Sequence, residues 1–190
     1  MTTIIGVQGP NWAVVGYDSR VVDDGAGSRI YTLTKESPKM FQNGAYLLGA
    51  AGDMRAINIL SHVFKPPAPG NLKGARLDKF MATQFLSELK NCFEESSYGK
   101  DGEHESNILV VVHGRVYEIG EDYAWCHDDS GIYAIGSGSS FALGSLYATL
   151  DGKTYTQLKV KAAVKQALTI SSKLDTGTGA PFFITVQSIK

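Results

Sequence analysis

The stretch Thr2-Thr3-Ile4-Ile5-Gly6-Val7-Gln8-Gly9-Pro10-Asn11-Trp12-Ala13-Val14-Val15-Gly16-Tyr17-Asp18-Ser19-Arg20 decides how the rest of the chain is read. Thr3 to Gly9 and Ala13 to Ser19 are short apolar runs flanking Gly9-Pro10-Asn11, a pattern that predicts an antiparallel hairpin. With the turn centred near Pro10, antiparallel counting lays the start of the first strand beside Asp18, and so brings a carboxylate to Thr2. Met1 precedes Thr2. Its removal, which a small following side chain generally permits, leaves a threonine hydroxyl and a free α-amino group on one residue. That residue is a nucleophile carrying its own base, because an α-amino group titrates near ~7.7–8.0 and is partly neutral at physiological pH. The expectation is therefore that Met1 is removed, with no long propeptide and no catalytic histidine needed.

The 190 residues, 43% hydrophobic with charge spread evenly, predict one globular domain spanning 1–190 with a sizeable core. A formal net charge of −1, without basic runs or acidic tails, argues against nucleic acid or an anionic membrane as partner. No apolar segment approaches the roughly 20 residues needed to cross a bilayer. The start also lacks the basic-then-apolar order of a secretory signal, so the cytoplasm is the expected compartment. Cys92 and Cys126 stand far apart and read as small hydrophobes rather than a disulfide.

Working outward, Asn43-Gly44 signals a second hairpin that Lys39 opens, and His113-Gly114 a third, from Asn107–Val112 into Arg115–Ile119. Further strands are predicted at Ile132–Ile135 and Pro181–Val186. Helices are predicted over Asp53–Phe64 and Arg76–Ser96, separated by Lys65-Pro66-Pro67-Ala68-Pro69-Gly70, which cannot continue a helix. In the second, Leu77, Phe80, Met81, Phe85, Leu89 and Phe93 recur at three- and four-residue steps and form one apolar face. Two more helices are predicted at Ser139–Leu150 and Gln157–Leu174, the latter with Val160, Ala163, Ala167, Ile170 and Leu174 along one side. Tyr98 to Ser106 is polar and glycine-punctuated and reads as an exposed loop. This order suits an α/β (α+β) architecture: a four-layer α/β/β/α sandwich of two antiparallel sheets, packed face to face and flanked by helix pairs.

Five fragments, in order, resemble the β-type proteasome subunits and the bacterial two-ring peptidase of the HslV type. Thr2-Thr3-Ile4 with Asp18-Ser19-Arg20 is similar to that family's N-terminal threonine and Asp-x-Arg. Lys39 ahead of Tyr46-Leu47-Leu48-Gly49 resembles its catalytic lysine and the strand that follows. Ala51-Gly52-Asp53 resembles the turn whose glycine amide is the oxyanion donor, and Gly136-Ser137-Gly138-Ser139 the Gly-Ser-Gly turn into a helix. Asp175-Thr176-Gly177-Thr178-Gly179 is similar to the Asp-x-x-Ser-Gly segment. The resemblance covers nearly the whole chain.

What it implies is an N-terminal-nucleophile (Ntn) threonine endopeptidase with Thr2 as nucleophile. A nearby ammonium, Lys39, favours the deprotonated hydroxyl, and Asp18 keeps that lysine charged and oriented. The Gly52 amide stabilises the oxyanion, a role whose loss costs ~2.7–4 kcal/mol elsewhere. Ser137, Asp175 and Thr178 orient the terminal amine. Ala50 and Val21 contribute to the pocket beside Thr2 and point to apolar preference. No metal or organic cofactor is needed. The resemblance further implies homo-oligomeric stacked rings that enclose a chamber, unfolded polypeptides as substrates, and an ATP-dependent unfoldase or an α-type ring as partner. The alternative is a catalytically inactive ring subunit with a structural or gating role. A first strand starting at residue 2 favours the catalytic type, because α-type subunits carry an extension before it.

Departures from the pattern are specific. Val21 to Gly27 lengthens the loop before the lysine, and Val22 stands where the family often has threonine; backbone pairing with substrate survives that change. Lys35 competes for the lysine role, but its spacing to Tyr46 fits less well. Asp53 follows the oxyanion glycine, and is expected to cap the next helix and point away. Asp175-Thr176-Gly177 also matches the aspartic-peptidase triplet, yet only residues 179–190 follow Thr178. Cys126-His127-Asp128-Asp129 lacks a partner cluster for a metal, and Gly136-Ser137-Gly138-Ser139 lacks the Lys-Ser/Thr of a phosphate loop.

Overall fold

The computed structural model describes residues 2–23, 29–99, 102–150 and 155–189. Met1, whose removal is expected, lies outside them, as do residues 24–27 of the lengthened loop, residue 28 after it, and 100–101 of the Tyr98–Ser106 segment.

One sheet has the strand order β10(Ile132–Ile135), β1(Ile4–Gln8), β2(Trp12–Tyr17), β11(Phe183–Ser188). The other runs β5(Met40–Asn43), β6(Tyr46–Gly52), β7(Ser106–Val112), β8(Arg115–Ile119), β9(Trp125–Cys126). All their pairings are antiparallel. Three cores define the layers. Ile4, Val15, Met40, Leu47, Leu109, Val111 and Val116 pack between the sheets. Leu48, Val110 and Tyr117 of the second sheet pack against α1(Met54–His62), α2(Ala75–Phe80) and α3(Leu86–Glu95). Ile5, Val7 and Val14 of the first sheet pack against α4(Ser139–Thr149) and α5(Gln157–Leu174). The alternation along β1, Ile4 inward and Ile5 outward toward the helices, is what a strand buried on both faces requires. This is the four-layer α/β/β/α architecture that the sequence predicts.

Several local expectations are corrected. The turn of the second hairpin is Gly44-Ala45, one residue later than Asn43-Gly44; Gly44 alone supplies a positive φ of 59°, as a glycine at the first central position can. The lengthened segment after Asp18 is not simply a loop: β3(Arg20–Asp23) pairs antiparallel with β4(Arg29–Thr32). Five residues of π-helix, Met81–Phe85, join α2 to α3, while Leu77, Phe80, Met81, Phe85, Leu89 and Phe93 are all buried as the periodicity requires. On α5 the buried side includes Val164 and Leu168, whereas Leu174 is exposed, so the face is rotated from the predicted one. Tyr98 and His104 are buried inside the segment read as an exposed loop.

Candidate active site

Strand register brings the site together. β1 is flanked by β2 and β10, with Ile4 opposite Tyr17 on one side and opposite Ile135 on the other. Continuing both registers past Ile4 sets Asp18 beside Thr3 and the Gly136-Ser137 turn beside Thr2 and Thr3.

Asp18 is fully buried and its four acceptor sites are all used. Oδ1 accepts the Thr3 N–H at 3.0 Å and the Lys39 ammonium at 2.7 Å. Oδ2 accepts the Arg20 N–H at 3.0 Å and the Gly179 N–H at 2.9 Å. Lys39 is also fully buried, and that burial pushes its pKa below the usual lysine range, against the opposing pull of the Asp18 carboxylate. Lys35, the competitor, is exposed. A buried charge is tolerable only when paired and hydrogen-bonded, which Asp18 and Lys39 achieve mutually.

On the other side of Thr2 lies a chain of hydroxyls ending on Asp175, the C-cap residue of α5. Ser137 donates to Asp175 Oδ2 at 2.8 Å, and Thr178 donates to the same oxygen at 2.5 Å. Each hydroxyl has one proton, so their remaining roles follow. Ser137 accepts from the Thr2 N–H at 3.2 Å, and Thr178 accepts from the Thr3 hydroxyl at 2.5 Å. Asp175 thus polarises a relay whose free acceptor faces the nitrogen of Thr2. The turn needs its first glycine: Gly136 has φ 95°, and a Cβ there would lie 2.1 Å from the Thr2 carbonyl oxygen.

Gly52 ends β6 with φ 126°, where a Cβ would lie 2.4 Å from the Glu105 carbonyl oxygen. It is exposed and shares a cleft of about 380 Å³ with Thr2. Val21, Tyr31, Ala50, Met54 and Ile57 supply apolar walls, and Asp23 and Asp53 add acidic groups. Asp53 caps α1 by accepting from the Arg55 N–H at 2.8 Å.

All seven residues singled out from the sequence, Thr2, Asp18, Lys39, Gly52, Ser137, Asp175 and Thr178, therefore lie around the start of β1 or the cleft beside it. Thr3, which links Asp18 through its N–H to Thr178 through its hydroxyl, is a site residue that the sequence reading passed over. Its position on the helix-facing side, shared with Ile5, was available from counting along the strand. Tyr31 was missed because β4 carries no strong strand pattern. Among the described residues no group of three or more acidic, His or Cys side chains could hold a metal. His127 instead meets the Asp78 carboxylate at 3.1 Å. A second triplet of the aspartic-peptidase type, Asp129-Ser130-Gly131, precedes β10, and the Asp175 carboxylate is taken up by the Ser137 and Thr178 hydroxyls and the Gly177 N–H. No helix among the described residues is long and apolar enough to cross a membrane.

No family model matches the sequence, and no curated protein does. Solved structures do match over nearly the full length. BPH of Thiobacillus denitrificans in complex with epoxomicin has a TM-score of 0.76 at 18% identity, covering 99% of both chains. A second structure of that BPH gives 0.76 at 17%, covering 99% of this chain and 98% of the other. The eukaryotic HslV of Trypanosoma brucei gives 0.67 at 19%, covering 98% and 99%. This chain therefore shares its four-layer fold with BPH and HslV.

Proposed function

We propose that the chain is the subunit of a self-compartmentalising threonine endopeptidase, with Thr2 as nucleophile after removal of Met1. The observation that carries this reading is the meeting of two separate networks at Thr2-Thr3: the buried Lys39–Asp18 pair, which holds the Thr3 N–H, and the Ser137–Asp175–Thr178 relay, which holds the Thr2 N–H and the Thr3 hydroxyl. The hydroxyl oxygen bonds to the substrate carbonyl carbon while its proton passes to the α-amine. The Gly52 amide stabilises the oxyanion, and the amine delivers the proton to the leaving nitrogen as the C–N bond breaks. Water then attacks the ester, its proton taken by the same amine, and the ester C–O bond breaks to restore the hydroxyl. Ser137 uses one amine hydrogen, which fixes where the nitrogen lone pair points. The Lys39 ammonium lowers the cost of negative charge on the threonine oxygen.

Stacked homo-oligomeric rings, unfolded polypeptide substrates, and an unfoldase or α-type ring as feeder complete the proposal, with the cytoplasm as compartment. A nucleophile of shallow selectivity is compatible with a cell interior only where folded proteins cannot reach it. The apolar walls of the cleft support a bulky apolar residue on the acyl side of the cut bond.

Intact mass before and after exposure to an electrophile that must bond both the hydroxyl and the free amine tests the reading. Loss of Met1 with one adduct per chain supports it. Retained Met1 without adduct, in protein from its native host, overturns it in favour of a silent ring subunit. Size alone does not discriminate, since a silent subunit also forms rings.

A further inference from the structure

The turn that carries Gly52 is held from behind by groups that do not touch the cleft. Gly52, the last residue of β6, pairs with Ser106, the first residue of β7. Ser106 is buried, and its Oγ accepts the N–H of Asp53 at 3.2 Å. The same oxygen shares a 2.7 Å hydrogen bond with the buried hydroxyl of Tyr98. Tyr98 in turn stacks edge-on against Phe93 of α3, with ring centroids 4.9 Å apart, so the phenol is anchored in the helical core.

We infer that Ser106, braced by Tyr98, is a positioning residue that aims the Gly52 amide at the developing oxyanion. The physical need is specific. Glycine is the softest point in a backbone, and the direction of its N–H depends on torsions that no side chain restrains. Tying the next amide, that of Asp53, to a side chain on the neighbouring strand fixes the peptide plane on the far side of Gly52. With its N–H held by Ser106 and its carboxylate accepting from the Arg55 N–H, Asp53 is tied to the helix start, so the residue after Gly52 is fixed at both its amide and its side chain. Neither Ser106 nor Tyr98 lines the cleft. Their effect therefore falls on transition-state stabilisation and leaves ground-state binding in place.

This inference rests on the peptidase reading, and the experiment separates the two. Steady-state hydrolysis of a fluorogenic peptide is compared for the wild type, Ser106→Ala, Ser106→Thr, Tyr98→Phe and Thr2→Ala, with amide hydrogen exchange followed at Asp53. Ser106→Ala is expected to lower kcat about 10- to 100-fold with KM within about twofold, since small misplacement of a catalytic group has costs of that order. The Asp53 amide exchanges faster in that variant. Ser106→Thr, which keeps the hydroxyl, restores most of kcat. Tyr98→Phe, which removes one oxygen and leaves the ring stacked, gives a smaller loss of the same kind. An unchanged kcat in both Ser106→Ala and Tyr98→Phe, a loss carried by KM, or unaltered Asp53 exchange overturns the inference while the wild type still turns over. A wild type without turnover, or Thr2→Ala with full turnover, overturns the peptidase reading itself.

Discussion

The two carboxylates that flank Thr2 are satisfied in opposite ways. Asp18 is sealed from water and saturated by one ammonium and three backbone N–H groups, those of Thr3, Arg20 and Gly179. Asp175 is half-buried and accepts from two hydroxyls and the Gly177 N–H, next to an exposed Ser137. The first is a charged knot that the fold cannot lose. The second is an adjustable polar relay whose loss the fold can absorb. On the proposed peptidase reading, such a division separates the group that must not move from the groups that must exchange protons with substrate and solvent.

The largest expected effect breaks the site while sparing both carboxylates: Thr2→Ala abolishes peptide hydrolysis and leaves ring assembly intact, measured by peptide turnover and by mass of the assembly. Next comes stability. Asp18→Ala removes the carboxylate that pairs with the buried Lys39 ammonium and costs about 3–5 kcal/mol in denaturant unfolding at fixed protein concentration. Asp175→Asn is expected to cost about 1 kcal/mol by the same measurement, because only neutral hydrogen bonds are weakened. Equal losses for the two would erase the contrast. In turnover, Asp175→Asn lowers kcat about 10- to 100-fold through a misdirected amine.

A third prediction uses pH. Burial lowers the pKa of Lys39, so its proton leaves at a lower pH than from a free lysine, which titrates near ~10.4. If the ammonium assists Thr2, kcat/KM falls on an alkaline limb centred below ~10.4, and Lys39→Arg moves that limb upward because a guanidinium stays charged. A wild-type limb at or above the free-lysine value removes Lys39 from the charge requirement. The smallest effect concerns selectivity. Ala50→Phe fills the apolar end of the cleft and is expected to reduce kcat/KM for bulky apolar residues on the acyl side by about 10-fold, with small residues spared. A uniform loss would place that side chain elsewhere.

Much of this was legible in the chain. The Gly9-Pro10-Asn11 turn fixes a register that puts Asp18 beside the start of β1, and α5 begins and ends where its periodicity says. Both signals are local, a turn and a repeat, and local signals survive in sequence. The β3–β4 hairpin was not legible, because four short, largely exposed positions on β4 carry no alternation for burial to impose. Ser106 and Tyr98 escaped notice for another reason. Two ordinary polar residues in a segment that reads as loop acquire meaning only from what lies across the strand, here the back of the Gly52 turn.

By itself the sequence determined the residue types, their order, and the four-layer arrangement, since hydrophobic periodicity and turn chemistry act over a few residues at a time. Only the tertiary structure decided that Lys39 and not Lys35 meets Asp18, that one oxygen of Asp175 collects two hydroxyl protons, and that Ser106 holds the turn beside the cleft. Those are contacts between residues far apart in the chain. Their hydrogen-bond distances arise where sheets and helices close over one another, and the spacing of residues along a single strand does not encode them.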